Sequence, residues 1–426
     1  MIDADLEREL DRRFPSAWEL YRKTAESREL EVSAANRGEA WRREEGWAVR
    51  WWDGGLRFAT GSDRQRLAAA IPLAGKLPGR AEPAPPFPTG GLNPEGGQIP
   101  LQPDDPAAAV AAPPDLFAPL AQLVSEKSRG EAVLASLTLR RGRAVEEIRN
   151  SAGGRVRMES SSQLDGIARA LGRRGPRICE RRSVFRWDGE PDLQGVAGRL
   201  ADGATLPLAS RGPTFSRGAW LLDPAIAASF LAALAPLFCA DALPLWVKRA
   251  EIASRRVTIA DDASRDAPFD GEGTPTRRVV LVEDGVLASR LHDLRSAARA
   301  GRFSTGHGVR PSYRNPPRPG PRRLFFETAG GVSPRELLAG VARGVFARAL
   351  TAPVFVDLDA DRYEIEFTGV ALSGGRASEP LAGARVSGRI SELLARITQV
   401  ATDRQFFPMP YPVGAPTILV ERVNFE

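Results

Sequence analysis

Histidine and cysteine, the side chains most often recruited for catalysis and metal binding, are nearly missing from this sequence, with two of each in 426 residues. The cysteines, Cys179 and Cys239, stand far apart and outside any CxxC or Cys/His spacing, so a disulfide framework and a zinc finger are both excluded. His292 and His307 have no glutamate at zincin spacing, so there is no HExxH or HExxxH helix and a sequence-local zinc site is ruled out. A GxSxG elbow, a P-loop and a GxGxxG turn after a strand are absent too. Gly271-Glu272-Gly273 and Gly306-His307-Gly308 are too short to cradle a phosphate.

Lysine is scarce as well, occurring only at 23, 76, 127 and 248, so that arginine supplies nearly all of the 59 basic residues. The net charge is only +6, with acidic residues interspersed throughout, a weak field that does not favour nucleic acid as a partner. The densest basic run, RPSYRNPPRPGPRR at 310–323, is punctuated by prolines and reads as an exposed, stiff loop. Long apolar runs are lacking. The longest uncharged one, 224–240, would make a helix of about 25 Å, short of a ~30 Å hydrocarbon core. Aspartates bound it at 223 and 241, so it reads as a buried helix and no membrane partner is expected. The opening MIDADLEREL has neither the apolar core of a signal peptide nor a transit pattern, and the expected compartment is the cytoplasm.

What is present is ordinary globular material: 42% hydrophobic and 26% charged residues exclude wholesale disorder and a fibrous class. The length suggests two or three domains. Residues 1–77 read as an N-terminal α+β unit, with a charged helical pattern over 5–26, strands over 28–35, 47–52 and 56–60, and a helix over 62–74; Asp53-Gly54-Gly55 makes a hairpin turn. Residues 78–115, rich in Pro, Gly and Ala, form a linker or long loop. A second α+β unit, 116–203, carries a helix over 116–128, strands over 132–140, 144–150 and 155–161, a helical stretch over 162–171 and a strand over 179–187. The shared order of helix, hairpin and helix points to an internal duplication.

From 204 to 426 strands dominate, over 257–260, 277–283, 286–291, 324–327, 354–357, 363–370 and 417–423, with helices over 224–240, 293–300, 334–350 and 390–402. Ser333-Pro334-Arg335-Glu336 offers a hydroxyl cap, a proline at the first helical position and a glutamate that reaches back. The expected fold class is α+β, with antiparallel sheets in the N-terminal units and a barrel-like, strand-rich C-terminal domain with interspersed helices.

The most unusual local composition is the stretch holding Asp261, Asp262, Asp266, Asp270 and Glu272, followed at once by Thr274-Pro275-Thr276-Arg277-Arg278. Crowded carboxylates suit a hard cation or raise one another's pKa for acid–base work; a solvated loop paired with its arginines is the simpler reading. His307, between two glycines, is placed to approach a ligand, and a bare turn histidine is an equal reading. His292, at a strand-to-helix junction, is assigned no function.

The same stretch carries a resemblance. Val257-Thr-Ile-Ala-Asp-Asp262, Phe269-Asp-Gly-Glu-Gly-Thr-Pro-Thr-Arg-Arg278, Val280-Leu-Val-Glu-Asp-Gly-Val-Leu287 and Ser304-Thr-Gly-His307 follow in an order that resembles the TldD/PmbA family, with its fDxEGxxTxR segment, hairpin and STG turn. Asn150-Ser-Ala-Gly153 is similar to the family's N-[ST]-x-G turn, and Gly46-Trp-Ala-Val-Arg50 to its early GxAxR strand. The pieces 333–344 and 386–388 also fall in order. The resemblance spans most of the chain, is strongest over 220–310 and is weak over 75–130.

The resemblance implies a heterodimer that cleaves peptides, as in removal of a leader from a ribosomally made peptide antibiotic or degradation of an unfolded antitoxin. In it, a TldD-like subunit supplies HExxxH plus a late cysteine for zinc, and a PmbA/TldE-like subunit lacks them. Here the corresponding helix is 224–241, with Ala232, Ala233 and Leu237 standing where the ligands and base would be. The late region 403–412 has no cysteine. The implied role is a non-catalytic subunit without its own cofactor, paired with an HExxxH-bearing homologue that holds the zinc and acting on peptide or unfolded-protein substrates. No catalytic or metal-binding residue is then assigned in this chain. Gly271, Glu272, Gly273, Thr305, Gly306 and His307 are expected to line a cleft and bind peptide, since the glycines expose backbone to an approaching chain. Two other readings stand beside this one: an autonomous hydrolase using the acidic loop 261–272, with Asp262, Asp270, Glu272 and His307, and a regulatory binding protein for DNA-associated machinery.

Overall fold

The structure, a computed structural model, describes residues 4–77, 82–89, 110, 112–161, 164–187, 191–209, 215–242, 247, 251–265, 267–409 and 411–426. Most of the expected linker 78–115, and Asp266, lie outside the described residues.

The first half is one seven-stranded antiparallel sheet flanked by helices. It runs through α1 (Ala4–Arg13), β1 (Trp18–Ser33), β2 (Arg37–Trp52), β3 (Leu56–Gly61) and α2 (Arg64–Gly75), then α3 (Phe117–Lys127), β4 (Ala132–Asn150), β5 (Arg155–Ser161), β6 (Leu164–Arg174), β7 (Arg177–Trp187) and α4 (Leu193–Ala209). The strand order β3-β2-β1-β4-β6-β7, with β5 on β4, places the first three-strand set against the second. The first set runs helix, three strands, helix, and the second runs helix, four strands, helix.

Residues 18–26 are strand, not the continuation of a helix. The charges that mimic a helical period there are spent across the ladder, where Arg22 pairs with Glu45 at 2.6 Å and Lys23 with Glu146 at 3.4 Å. Residues 164–171 are likewise strand. Leu164, Gly166, Ala168 and Ala170 alternate inward, and the ladder on both sides overrides the helical preference of alanine and leucine.

The second half is strand-rich and mixed, and the fold as a whole is α+β. It contains β8 (Arg217–Leu222), α5 (Pro224–Leu234), β9 (Ile259–Asp262), β10 (Arg278–Glu283), β11 (Val286–Leu287), α6 (Leu294–Arg299), β12 (Gly308–Val309), β13 (Arg318–Pro319) and β14 (Leu324–Phe326). It continues with α7 (Pro334–Ala339), β15 (Arg343–Leu350), β16 (Phe355–Asp357), β17 (Arg362–Ser373), β18 (Arg376–Arg389), α8 (Ile390–Ala395), β19 (Ile397–Val400), β20 (Gln405–Pro408), β21 (Pro412–Ala415) and β22 (Ile418–Asn424). One sheet is ordered β11-β10-β9-β14-β21-β20. Another is ordered β16-β17-β15-β8-β22-β19 with β18 on β17.

α7 starts with the expected capping box at Ser333 and Glu336 but stops at Gly340. The segment beyond becomes β15, whose Gly344 packs a backbone directly on Ala219 of β8. The helix expected over 390–402 also ends early, and Ile397–Val400 joins β22.

α5, capped by Asp223, continues as one turn of 3-10 helix over Ala235–Phe238 and lies in the largest core, with Ile226, Leu231, Leu234 and Leu237 buried. α4 runs through residues 203 and 204 and packs on β6 and β7 as well as on β15, β17 and β18, so it ties the two halves together. No helix among the described residues is long and apolar enough to cross a membrane.

Candidate functional site between the two halves

The two-residue period of β1 and β2 decides what faces what. Trp18 and Leu20 join Trp47, Val49 and Trp51 in a core under α1 and α2. Their neighbours Tyr21 and Ala48 face the opposite side, where Ala267, Phe269 and Tyr313 of the second half cover them. Glu19 and Arg50, cross-strand partners in the ladder, are on that same side and are buried. Arg50 donates through Nε to Glu19 Oε1 at 2.9 Å and through Nη2 to Glu19 Oε2 at 2.6 Å. Its Nη2 also donates to Glu272 Oε1 at 2.6 Å. Arg310 completes the cluster, bonding Glu19 through Nη2 and the carbonyl of Gly271 through Nε at 2.7 Å.

The loop 269–276 that delivers Glu272 is wound around Asp270. Its carboxylate accepts from the backbone N–H groups of Glu272 and Thr274 at 2.9 Å, and from Gly308 at 2.7 Å. The second oxygen of Glu272 accepts from the Leu294 N–H at 2.7 Å, at the start of α6. Alongside runs the turn 304–308. His307 presents Nε2 to Asp261 Oδ1 at 3.0 Å and Nδ1 to the Thr305 carbonyl at 2.9 Å. Asp261 also accepts from the backbone of Arg322 and Arg323. The glycines on either side of His307 are required by close approach: a Cβ on Gly306, at φ +74°, would stand 2.2 Å from the Pro275 carbonyl, and one on Gly308 would stand 2.6 Å from Glu272 Oε2.

Burial pushes the Glu272 carboxyl up to about 8; the Arg50 guanidinium pulls against this, while Asp270, Asp293 and Glu19 add to it. Burial also raises Asp270, opposed by its three backbone donors. The Arg50–Glu19 pair is buried at a desolvation cost and matched within the chain.

Of the residues expected to bind peptide, Glu272 and His307 are fully buried, and their polar atoms are taken up by Arg50, Leu294, Asp261 and Thr305. Thr305 is buried too, its hydroxyl held at the backbone of His292. Gly273 and Gly306 are buried turn residues with positive φ. The run 310–323 is not simply an exposed loop: Arg310, Tyr313 and Arg323 are buried.

Gly271 is buried as well, but it is at the edge of open space. It lines a cavity of about 720 Å³ between β1, β4, β5 and β6 and the loops that carry Arg265, Arg310, Arg322 and Tyr411. The sheet-side lining of this cavity, Lys23, Arg140, Arg143 and Asp165 among it, had no motif to announce it.

Zinc of the kind the resemblance places on the helix after β8 does not fit this chain. Ala232, Ala233 and Leu237 offer methyl and isobutyl groups with no donor atom, and Leu237 is buried in the core. The thiol of Cys239, just beyond, is pushed up to about 12 by burial first and then by Asp241 and Asp261, which disfavours the thiolate a metal needs. No group of three or more His, Cys, Asp or Glu side chains placed to hold a metal occurs among the described residues.

Residues 217–426 match the family described as the PmbA/TldA metallopeptidase C-terminal domain. The fold is similar to that of TldE from Thermococcus kodakarensis, with a TM-score of 0.83 over 99% of both chains at 22% identity. The chain belongs to the TldD/PmbA family. Among curated relatives of this TldD/PmbA member are a metalloprotease TldD homolog from Haemophilus influenzae and a metalloprotease from Methanothermobacter thermautotrophicus. The first is 26% identical over 41% of this chain and 39% of its own length. The second is 26% identical over 54% of this chain and 52% of its own length. The matched stretch therefore spans about two-fifths to one-half of these relatives.

Proposed function

We propose that this chain is a non-catalytic, PmbA/TldE-like subunit of a zinc metallopeptidase complex, pairing with an HExxxH-bearing homologue and helping to hold peptide or unfolded protein for cleavage. The observation that carries the proposal is the helix after β8. From Asp223 to Asp241 it contains no histidine or glutamate, and its inward side chains are alanine, leucine and phenylalanine packed into the main core. A family member whose relatives are named metalloproteases, but whose own helix offers nothing to hold zinc or move a proton, fits the companion role.

The hydrolase reading has less support, because all three side chains are committed to buried contacts: Glu272 to Arg50 of the first sheet, and Asp270 and His307 to Gly308 and Asp261 of their own half. The cavity beside Gly271 is a better place for a ligand than these side chains. Purification from the native host tests the proposal. A homologue with HExxxH is expected to accompany the chain in a constant ratio. A chain that purifies alone and cleaves peptides unaided would overturn it.

A further inference from the structure

We infer that the cavity between the two halves is a carboxylate-binding site that takes a carboxylate of a peptide, anchored by Arg310 and Arg322. This rests on the peptide-handling reading above and names the chemical group by which the peptide is held.

Cationic side chains outnumber acidic ones in the lining. The acidic ones have cations beside them: Glu146 lies 3.4 Å from Lys23, Asp165 2.6 Å from Arg186, Glu159 is held by Arg143, and Glu26 Oε1 is 3.9 Å from Arg43 without a hydrogen bond. Arg140 and Arg322 form no ion pair among the described residues. The surplus in the cavity is therefore positive.

Arg310 is the built part of the site. Its side chain is 1% exposed, its Nε is held by the Gly271 carbonyl, its Nη2 by Glu19, and its guanidinium lies 4.5 Å over the Tyr21 ring. Its buried Nη1 has no acceptor among the described residues. A buried, charged donor without an acceptor is costly, and it is satisfied at little further ordering cost by an oxygen entering the cavity, because the other two nitrogens already fix the fork. Arg322 stands beside it, with its backbone N–H fixed by Asp261 and its side chain in the lining. The planar fork of arginine matches a carboxylate.

A single carboxylate fits better than a polyanion, because Glu26, Glu146, Glu159 and Asp165 among the cations would repel a second and third negative charge. The volume, about 720 Å³, suits several residues of an extended chain.

Isothermal titration of the purified full chain with short unstructured peptides tests this. The probes are a peptide with a free C-terminal carboxylate and no Asp or Glu, its C-terminal amide, and an amidated peptide carrying internal Asp and Glu. The first or the third should bind at least ~10-fold more tightly than the neutral amide, and which of them does so identifies the source of the carboxylate. Arg322→Gln should abolish that preference with a melting temperature within about 2 °C of the parent, and Arg310→Lys should weaken it. Equal binding of all three peptides overturns the site, as does a preference that survives in a folded Arg322→Gln chain. Inorganic phosphate that binds more tightly than either carboxylate peptide overturns the carboxylate assignment. Failure of the subunit reading shows separately, as the absence of a complex between the parent chain and its HExxxH homologue.

Discussion

Arg50 and Glu272, 222 residues apart in the chain, meet with Nη2 2.6 Å from Oε1. One belongs to the GxAxR strand and the other to the DGEGxxTxR loop, so two segments that mark the family in the sequence are the two sides of one buried contact. Glu19 and Arg310 extend it to a four-residue cluster that joins the first sheet to the second half.

Removing one partner of that cluster should be expensive, because it leaves a charge buried without its match. Arg50→Met is expected to destabilise the chain by about 3–5 kcal/mol, read from the urea midpoint at unchanged slope. Glu272→Gln keeps the shape and the acceptor toward Leu294 and should cost about 1–2 kcal/mol at neutral pH. A loss for Arg50→Met as small as that of an exposed arginine would show that the contact does not hold the halves together.

The Glu272 carboxyl also sets a pH dependence. Its folded pKa, about 8, lies above the ordinary 4.5, so between these values the folded state binds more protons than the unfolded state. Stability from this group is therefore greatest below about pH 4.5 and falls as pH rises to about 8, with a slope of at most ~1.4 kcal/mol per pH unit. The difference in unfolding free energy between the parent and Glu272→Gln should accordingly move in favour of the variant from pH 5 to pH 8. A difference that is flat over this window would contradict the assignment.

His307 is expected to behave as a structural residue. His307→Ala removes a buried ring that spans Asp261 and Thr305 and should cost about 2–4 kcal/mol, lowering the melting temperature. In an assembled peptidase the surviving folded fraction should keep its kcat and KM. A fall in kcat with the melting temperature unchanged would instead make His307 catalytic.

Much of the fold was legible where the local pattern and the long-range pairing agree, as in the hairpin turn at 53–55, the cap at Ser333 and the buried helix expected over 224–240, which is α-helical over Pro224–Leu234. It failed where they compete. The charged segment 18–26 has a helical period by itself, and only its partners on β2 and β4 make it a strand; Leu164–Arg174 is held as strand by β4 and β7. The loop 269–276 and the turn 304–308 lie side by side, yet sequence alone carried no information on their burial. Glu272 and His307 look reactive in a glycine-rich loop, but those glycines serve close packing of one turn on another. The cavity residues come from strands far apart in sequence, so no local motif marks them.

Metal analysis gives another expectation. Chain purified alone and dialysed against a mild chelator should hold well under one zinc per chain, because the helix after β8 supplies no donor. About one tightly held zinc per chain would require a site built from other residues.

On the proposed reading, this chain completes a peptidase whose chemistry lies in its partner. Mixing it with the HExxxH homologue from the same genome, followed by size-exclusion chromatography and a peptide-cleavage assay, tests that most directly. A stable complex that cleaves peptides faster than either chain alone is expected, with activity lost when the homologue's glutamate is replaced by glutamine. Two chains that elute separately at micromolar concentration, with activity unchanged by mixing, would contradict it.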